Sequence, residues 1–288
     1  MILDNSENTR NTGIQIGMGE GKSLEGPFHY HLDRYELTYI EGAKGLLLAG
    51  NVITGFEDKS LLLIPPRIPH TWISYKNKEL NNGISYRYIT IQFSLEYLTE
   101  GLLMRPEMAN IRRLLVAAEK VAVINNPRES ELIRNLFDLK LEPDFTTYIR
   151  ILELLNAMGA ENSLGQLVRS EYDYRGNEKD SRLFPEVFRY ILSNYTKRIK
   201  ISSPAGILEQ NDTAFSHYFK KRTGKSFTDF INRLRLHEAD ALIKYTSKKI
   251  ARISQECGFN NLSNFNRIYK SWKKMAPADS RRLLISNQ

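Results

Sequence analysis

Residues 250–274, IARISQECGFNNLSNFNRIYKSWKK, constrain this chain more than any other stretch. Two short amphipathic runs meet at Gly258. Ile250, Ile253 and Cys257 recur at the spacing of one helical face, and Leu262, Phe265, Tyr269 and Trp272 repeat that spacing beyond the glycine. The opposite face of the second run shows Ser263, Asn264, Asn266, Arg267 and Lys270, all hydrogen-bond donors. A short helix, a glycine turn and a donor-faced second helix describe a helix-turn-helix. An ordinary helical hairpin with a solvated face fits the spacing equally well.

Charge separates the two. Residues 181–288 hold 21 Lys and Arg against 8 Asp and Glu, a net of +13, whereas the first 180 residues carry a net of −5. A basic half beside an acidic half implies a polyanion partner for one part only. The second helix of a helix-turn-helix enters the DNA major groove, so double-stranded DNA is the expected partner. No apolar run approaches a membrane span and the first residues are too polar for a signal peptide, so no membrane association is expected. The single cysteine, Cys257, excludes an intrachain disulfide and fits a reducing cytoplasm. Its place on an apolar face predicts a packed thiol rather than a nucleophile.

Between Phe28 and Phe93 short apolar or alternating runs give way to turn signals every few residues. His29–Ile40, Leu46–Ala49, Val52–Ile53, Leu61–Ile64 and Tyr86–Phe93 read as strands of an antiparallel β-barrel or jelly roll. His29 and His31 share a strand face. With Glu36 and His70 they resemble the cupin pattern, HxH followed by a glutamate and a proline-associated histidine. Cupin enzymes hold a divalent metal with such groups, and the donor set suits iron, manganese, nickel or zinc. Here four residues separate His31 from Glu36, and no glycine precedes His70. The sensor cupins of transcription factors commonly bind no metal, so no cofactor is expected. A small effector in the barrel is expected instead, with His29, His31, Glu36, Tyr39, His70, Trp72, Arg87 and Gln92 as its candidate contacts.

The apolar period then lengthens to a helical one. Met108, Ile111, Leu114, Leu115 and Ala118 form one run, Leu132, Leu136 and Leu139 another, and Ile151, Leu152, Leu154 and Leu155 a third. A helical support and homodimer region over 105–168 is expected behind a barrel over 1–104. Residues 169–180 read as an exposed linker before a helical domain over 181–288. In that domain 182–195 predicts a helix, Asn211 or Asp212 an N-cap, Gly224 a helix stop and Ser226 the start of a long helix.

Residues 199–283 resemble the double helix-turn-helix domain of the AraC/XylS transcriptional regulators. The resemblance rests on Ala205, Phe219-Lys220-Lys221, Thr223-Gly224, Asn232-Arg233-Leu234-Arg235, Ala239, Ile253, Gly258-Phe259, Phe265, Arg267, Pro277 and Arg281. It implies two recognition helices in successive major grooves. Thr213, Ser216 and His217 are then the base-reading positions of the first, and Leu262, Ser263 and Arg267 those of the second, with Asn264 and Asn266 adding contacts. Lys220, Lys221, Lys270, Lys273 and Arg281 are the phosphate positions, and RNA polymerase is an implied partner. Pro204, Gly206 and His217 depart from the family pattern, with Pro204 expected to begin its helix under a Ser203 cap. Ala251 replaces a capping hydroxyl, and Ser280 a common aromatic residue. The second unit is therefore expected to carry most of the sequence discrimination.

The expected function is an effector-controlled, sequence-specific, non-enzymatic regulator of transcription. The competing readings are a metal-dependent cupin enzyme using His29, His31, Glu36 and His70, and a nucleic-acid binder without sequence choice.

Overall fold

The computed structural model of the chain describes residues 13–21, 26, 28–81, 86–96, 100–117, 122–125, 135–139, 141–142, 144–160 and 178–286. Five strands, β1 (Ile14–Gly21), β2 (Arg34–Glu41), β5 (Ser60–Ile64), β7 (Tyr86–Ser94) and β8 (Ala122–Asn125), form one antiparallel sheet in the order β1-β7-β2-β5-β8. Three more, β3 (Gly45–Ala49), β4 (Val52–Phe56) and β6 (His70–Ser74), form a second in the order β4-β3-β6. The expected antiparallel strands are present, but the expected closure is not. Among the described residues no ladder joins the two sheets, and the barrel is a two-sheet sandwich.

Alternation along the strands sorts three layers. Tyr35, Leu37, Tyr39, Leu61, Leu63, Ile89 and Ile91 leave the large sheet outward, onto α3 (Ala109–Ala117) and α4 (Phe145–Ala160). From its inner face Ile40, Leu62 and Ile64 meet Leu47, Ala49 and Trp72 of the small sheet. The small sheet's outer residues Leu46, Leu48 and Ile73 belong to the core of the C-terminal helices. Covered on both faces, β3 and β5 are buried throughout and read as unbroken apolar runs, GLLLA and SLLLI. Two short helices, α1 (Lys78–Asn81) and α2 (Glu100–Leu103), lie in the connections.

Two strands were not expected. β1 is a glycine-interrupted stretch (IQIGMGEG), and β8 falls within the segment predicted helical, where it extends the large sheet beside β5. Leu136 and Leu139 pack against the sheet from a 3-10 turn over Asn135–Asp138, not from an α-helix. Leu132 and most of the expected linker, 169–177, lie outside the described residues.

The C-terminal helices are α5 (Glu178–Asn194), α6 (Ser202–Ile207), α7 (Asp212–Thr223), α8 (Phe227–Tyr245), α9 (Ile250–Glu256), α10 (Leu262–Lys273) and α11 (Pro277–Ser286). Phe184, Val187, Phe188, Ile191 and Leu192 of α5 are buried in the shared core, as their period predicts. Among the described residues no helix is long and apolar enough to cross a membrane.

Candidate nucleic-acid interface and sensor site

Two helix-turn-helix units, α6–α7 and α9–α10, lie on either side of α8. In the first, Asn211 caps α7 by accepting from Ala214 N at 2.9 Å, and Gly224 ends it at φ 68°. Ser226 opens α8, accepting from Asp229 N at 3.1 Å. α6 begins at Ser202, two residues before the expected start, and no side chain caps it. Pro204 therefore falls within the first turn, where its missing N–H removes no helical bond. In the second unit Gly258 takes φ 88°, and a Cβ there would sit 2.5 Å from Thr196 O, so only glycine fits this turn. Asn261 caps α10, accepting from Asn264 N at 3.0 Å, while α9 has no side-chain cap.

The recognition helices are held by aromatic residues on one side and left open on the other. Phe215 and Phe219 of α7, and Phe265 and Tyr269 of α10, are wholly buried. Burial of each such ring contributes about 1.5–3 kcal/mol. Thr213, His217, Lys220 and Lys221 on α7 are exposed and Ser216 is half-buried, its hydroxyl donating to Asp212 O at 2.7 Å. Leu262, Ser263, Asn264, Asn266, Arg267 and Lys270 form the exposed face of α10. Arg267 Nη2 donates to Asn264 Oδ1 at 3.0 Å, which holds the guanidinium along that face. Cys257 is a packed thiol, its pKa pushed well up by burial.

The second site lies between the two sheets. His29 exchanges backbone hydrogen bonds with His70, at 3.0 and 2.8 Å, which brings the histidine pair beside β6. Glu36 projects from β2 across the gap. His29 Nε2 and His31 Nε2 lie 3.2 and 2.9 Å from Glu36 Oε2, and His70 Nε2 lies 3.4 Å from Oε1. Burial alone would raise the Glu36 pKa. The field of His70 and the bonds from His29 and His31 outweigh it and hold the carboxyl well below its usual range.

A cavity of about 280 Å³ adjoins the cluster, lined by His29, Glu36, Trp72 and Gln92 among the expected residues and by Gln15, Tyr88 and Thr90 among those not expected. Of the other expected contacts, His31 and His70 belong to the cluster but do not line the cavity, and Tyr39 and Arg87 belong to neither. Tyr39 is three residues from Glu36 and so faces the helical layer, while Arg87 is five from Gln92 and turns outward to Glu41 at 2.6 Å. The same parity would have found Thr90 and Tyr88, which share the face of Gln92.

The cluster fits a divalent ion by its own geometry. One ligating atom from each of His29, His31, Glu36 and His70 lies within 4.8 Å of the others. His70 Nδ1 is 2.8 Å from Ile68 O and donates to it, which turns Nε2 toward Glu36. That buried nitrogen makes no hydrogen bond and faces a carboxylate. A backbone carbonyl orienting the far nitrogen of an imidazole is how metal-binding histidines are usually held. These four groups would hold the ion, which there would act as a Lewis acid toward a polar ligand.

Comparison with known proteins decides the C-terminal assignment. A family described as a helix-turn-helix domain matches residues 205–283. The HTH-type transcriptional regulator YobQ of Bacillus subtilis is 30% identical over 148 residues, 51% of this chain and 59% of its own. The HTH-type transcriptional activator RhaS of Mannheimia succiniciproducens is 30% identical over 108 residues, 38% and 39% of the two chains. Residues 205–283 are a helix-turn-helix domain, the domain type that the names of both relatives carry. The chain spans about half the length of the curated relatives it matches. ToxT from Vibrio cholerae aligns over 95% of this chain and 99% of its own, at 15% identity and a TM-score of 0.36.

Within the helix-turn-helix domain, two of the expected phosphate positions are engaged elsewhere. Lys273 pairs with Asp240 at 2.7 Å. Arg281 donates to Lys248 O at 2.6 Å and fixes α11 to the segment after α8. Lys220, Lys221 and Lys270 are exposed beside the reading faces.

Proposed function

We propose that the chain is a sequence-specific regulator of transcription that reads double-stranded DNA with α7 and α10 and senses a small molecule between its two sheets. The observation that carries the reading is the pair of capped helices whose open faces hold base-reading donors beside lysines. On α10, Arg267 is the guanine reader, Leu262 packs on a thymine methyl, and Asn264, Asn266 and Ser263 add polar contacts. Thr213, Ser216 and His217 do the same on α7. Lys220, Lys221 and Lys270 neutralise phosphates. With arginine on α10 and only histidine at its counterpart on α7, the second unit supplies most of the discrimination.

The effector is small and polar. The cavity lining is rich in polar side chains, Gln15, His29, Glu36, Tyr88, Thr90 and Gln92, which a polar ligand would meet. A divalent ion on His29, His31, Glu36 and His70 completes the site. Met104, Val116 and Phe145 are 76%, 72% and 77% exposed around α3 and α4, which supports a homodimer through that layer. The protein acts in the cytoplasm with RNA polymerase.

Selection from a random duplex pool tests the reading. It is expected to enrich a motif of two short blocks about one helical turn apart. A pool that remains random after repeated rounds contradicts sequence-specific reading.

A further inference from the structure

The small sheet packs on α8 and, near opposite ends of β6, is tied to the residues that leave the first helix-turn-helix unit and to α9 of the second. At the start of β6, Pro69 O accepts from Gly50 N at 2.8 Å, and the next residue, Asn51, accepts Lys225 Nζ on its carbonyl at 3.1 Å. Lys225 lies between α7 and α8, at the exit of the first unit. Beyond the other end of β6, Asn77 makes two contacts with carboxylates. Its backbone N–H donates to Glu238 Oε1 of α8 at 2.6 Å, and its side-chain Nδ2 donates to Glu256 Oε2 of α9 at 2.7 Å. Lys248 joins the same node, 2.9 Å from Glu79 and 2.6 Å from Glu256.

The first unit packs on α5 through α6 and on α8 through α7, and the second packs on α8 through α9, so their relative orientation depends on those two helices and on whatever else spans the units. The small sheet spans them. Its outer residues Leu46, Leu48 and Ile73 are continuous with the helical core, and Glu238, 1% exposed, bonds Tyr195 Oη as well as Asn77. A buried carboxylate with both oxygens satisfied resists displacement, because moving it strands an acceptor without water. On the inner face of the same strand, His70 belongs to the histidine–glutamate cluster and Trp72 to the cavity beside it.

We propose that β6 and its flanking turns brace the two helix-turn-helix units in one relative orientation, with Asn77 the positioning residue that holds the second unit. This rests on the DNA-reading function proposed above and names how that reading is controlled. A fixed orientation sets the distance between the two base blocks that one molecule reads at once. A ligand drawn to His70 and Trp72 acts on the strand that sets it.

The test compares affinities for a selected duplex and for duplexes in which the spacing between its two blocks is changed by one or two base pairs. Asn77→Asp keeps the Oδ1 bond to Glu79 N, at 3.1 Å here, but sets a carboxylate against Glu256. Wild-type protein is expected to lose about tenfold or more on altered spacing, and Asn77→Asp to bind all spacings within about threefold. Affinity for either block alone is expected to be unchanged. Asn77→Asp with Glu256→Gln should recover the preference, and Lys225→Met should relax it through the other end of the strand. A wild-type spacing profile in both Asn77→Asp and Lys225→Met overturns the brace. So does an equal loss at every spacing. A wild-type protein with no preferred duplex overturns the DNA-reading proposal itself, and the brace with it.

Discussion

His70 Nε2 lies 3.4 Å from Glu36 Oε1 while its Nδ1 donates to Ile68 O at 2.8 Å, so the second ring nitrogen faces a carboxylate in a buried site. A proton on Nε2, or a cation bound between the two groups, satisfies both, and the four ligating atoms gathered there favour the cation. Metal-free protein titrated with Zn²⁺ is expected to take up one equivalent and to melt at a higher temperature. At a free concentration one hundred times Kd the gain is about 2.7 kcal/mol. His70→Ala should lose the uptake, and an unaltered melting curve for wild-type protein counts against the site.

Arg267 and Lys270 lie one turn apart on α10 and are expected to fail differently. Arg267→Ala removes a bidentate base contact and should cost about 1–3 kcal/mol at one base position, relaxing specificity there. Lys270→Ala should weaken selected and random duplexes alike and lower the slope of log affinity against log salt by about 1. Fluorescence titrations over a salt series distinguish them. Matching losses on both duplexes for both variants contradict the assignment.

Asn261 accepts from Asn264 N at 3.0 Å, and so orders the first turn of α10 beneath the face proposed to read bases. Asn261→Ala should cost about 1 kcal/mol of stability. It should also weaken binding to the block read by the second unit and leave the other block unaffected. A urea titration with single-block duplexes checks both.

His237, on α8, lies against the Trp272 ring at 4.8 Å and bonds the backbone of Ile53. Burial lowers its pKa from 6.5 to about 4. The attraction of Asp240 opposes that shift, and Lys273 and Arg233 add to it. The unfolded chain therefore takes up a proton at a pH where the folded one does not. This stability is full above pH 6.5, declines as the pH falls, and levels off below about 4. His237→Gln should flatten that part of the curve. Thermal melts between neutral and acid pH read it, and a parallel decline in the variant contradicts the assignment.

The C-terminal half was legible in the sequence because its determinants are local. Asn211, Gly224, Ser226 and Gly258 act within a few residues, and Phe215, Phe219, Phe265 and Tyr269 keep helical period. Pro204 misled only on where α6 starts, since a proline is tolerated anywhere in a first turn. The cluster of His29, His31, Glu36 and His70 was legible as a set of residues, and its cavity in part, through His29, Glu36, Trp72 and Gln92. Tyr39 and Arg87 were placed by residue type, although their parity against Glu36 and Gln92 turns them away. β8 escaped because an edge strand is defined by the strand it joins, and Ala122–Asn125 has too few residues to show a period. Asn77 carried no signal at all. Its partners, Glu238 and Glu256, are remote in sequence and meet it only because the small sheet lies on the helices.

Hydroxyl-radical footprinting of the protein on its selected duplex tests two-headed reading most directly. Two protected windows on one face of the duplex, about one helical turn apart, are expected, with Arg267→Ala weakening only one. A single window, or uniform protection along random DNA, contradicts it.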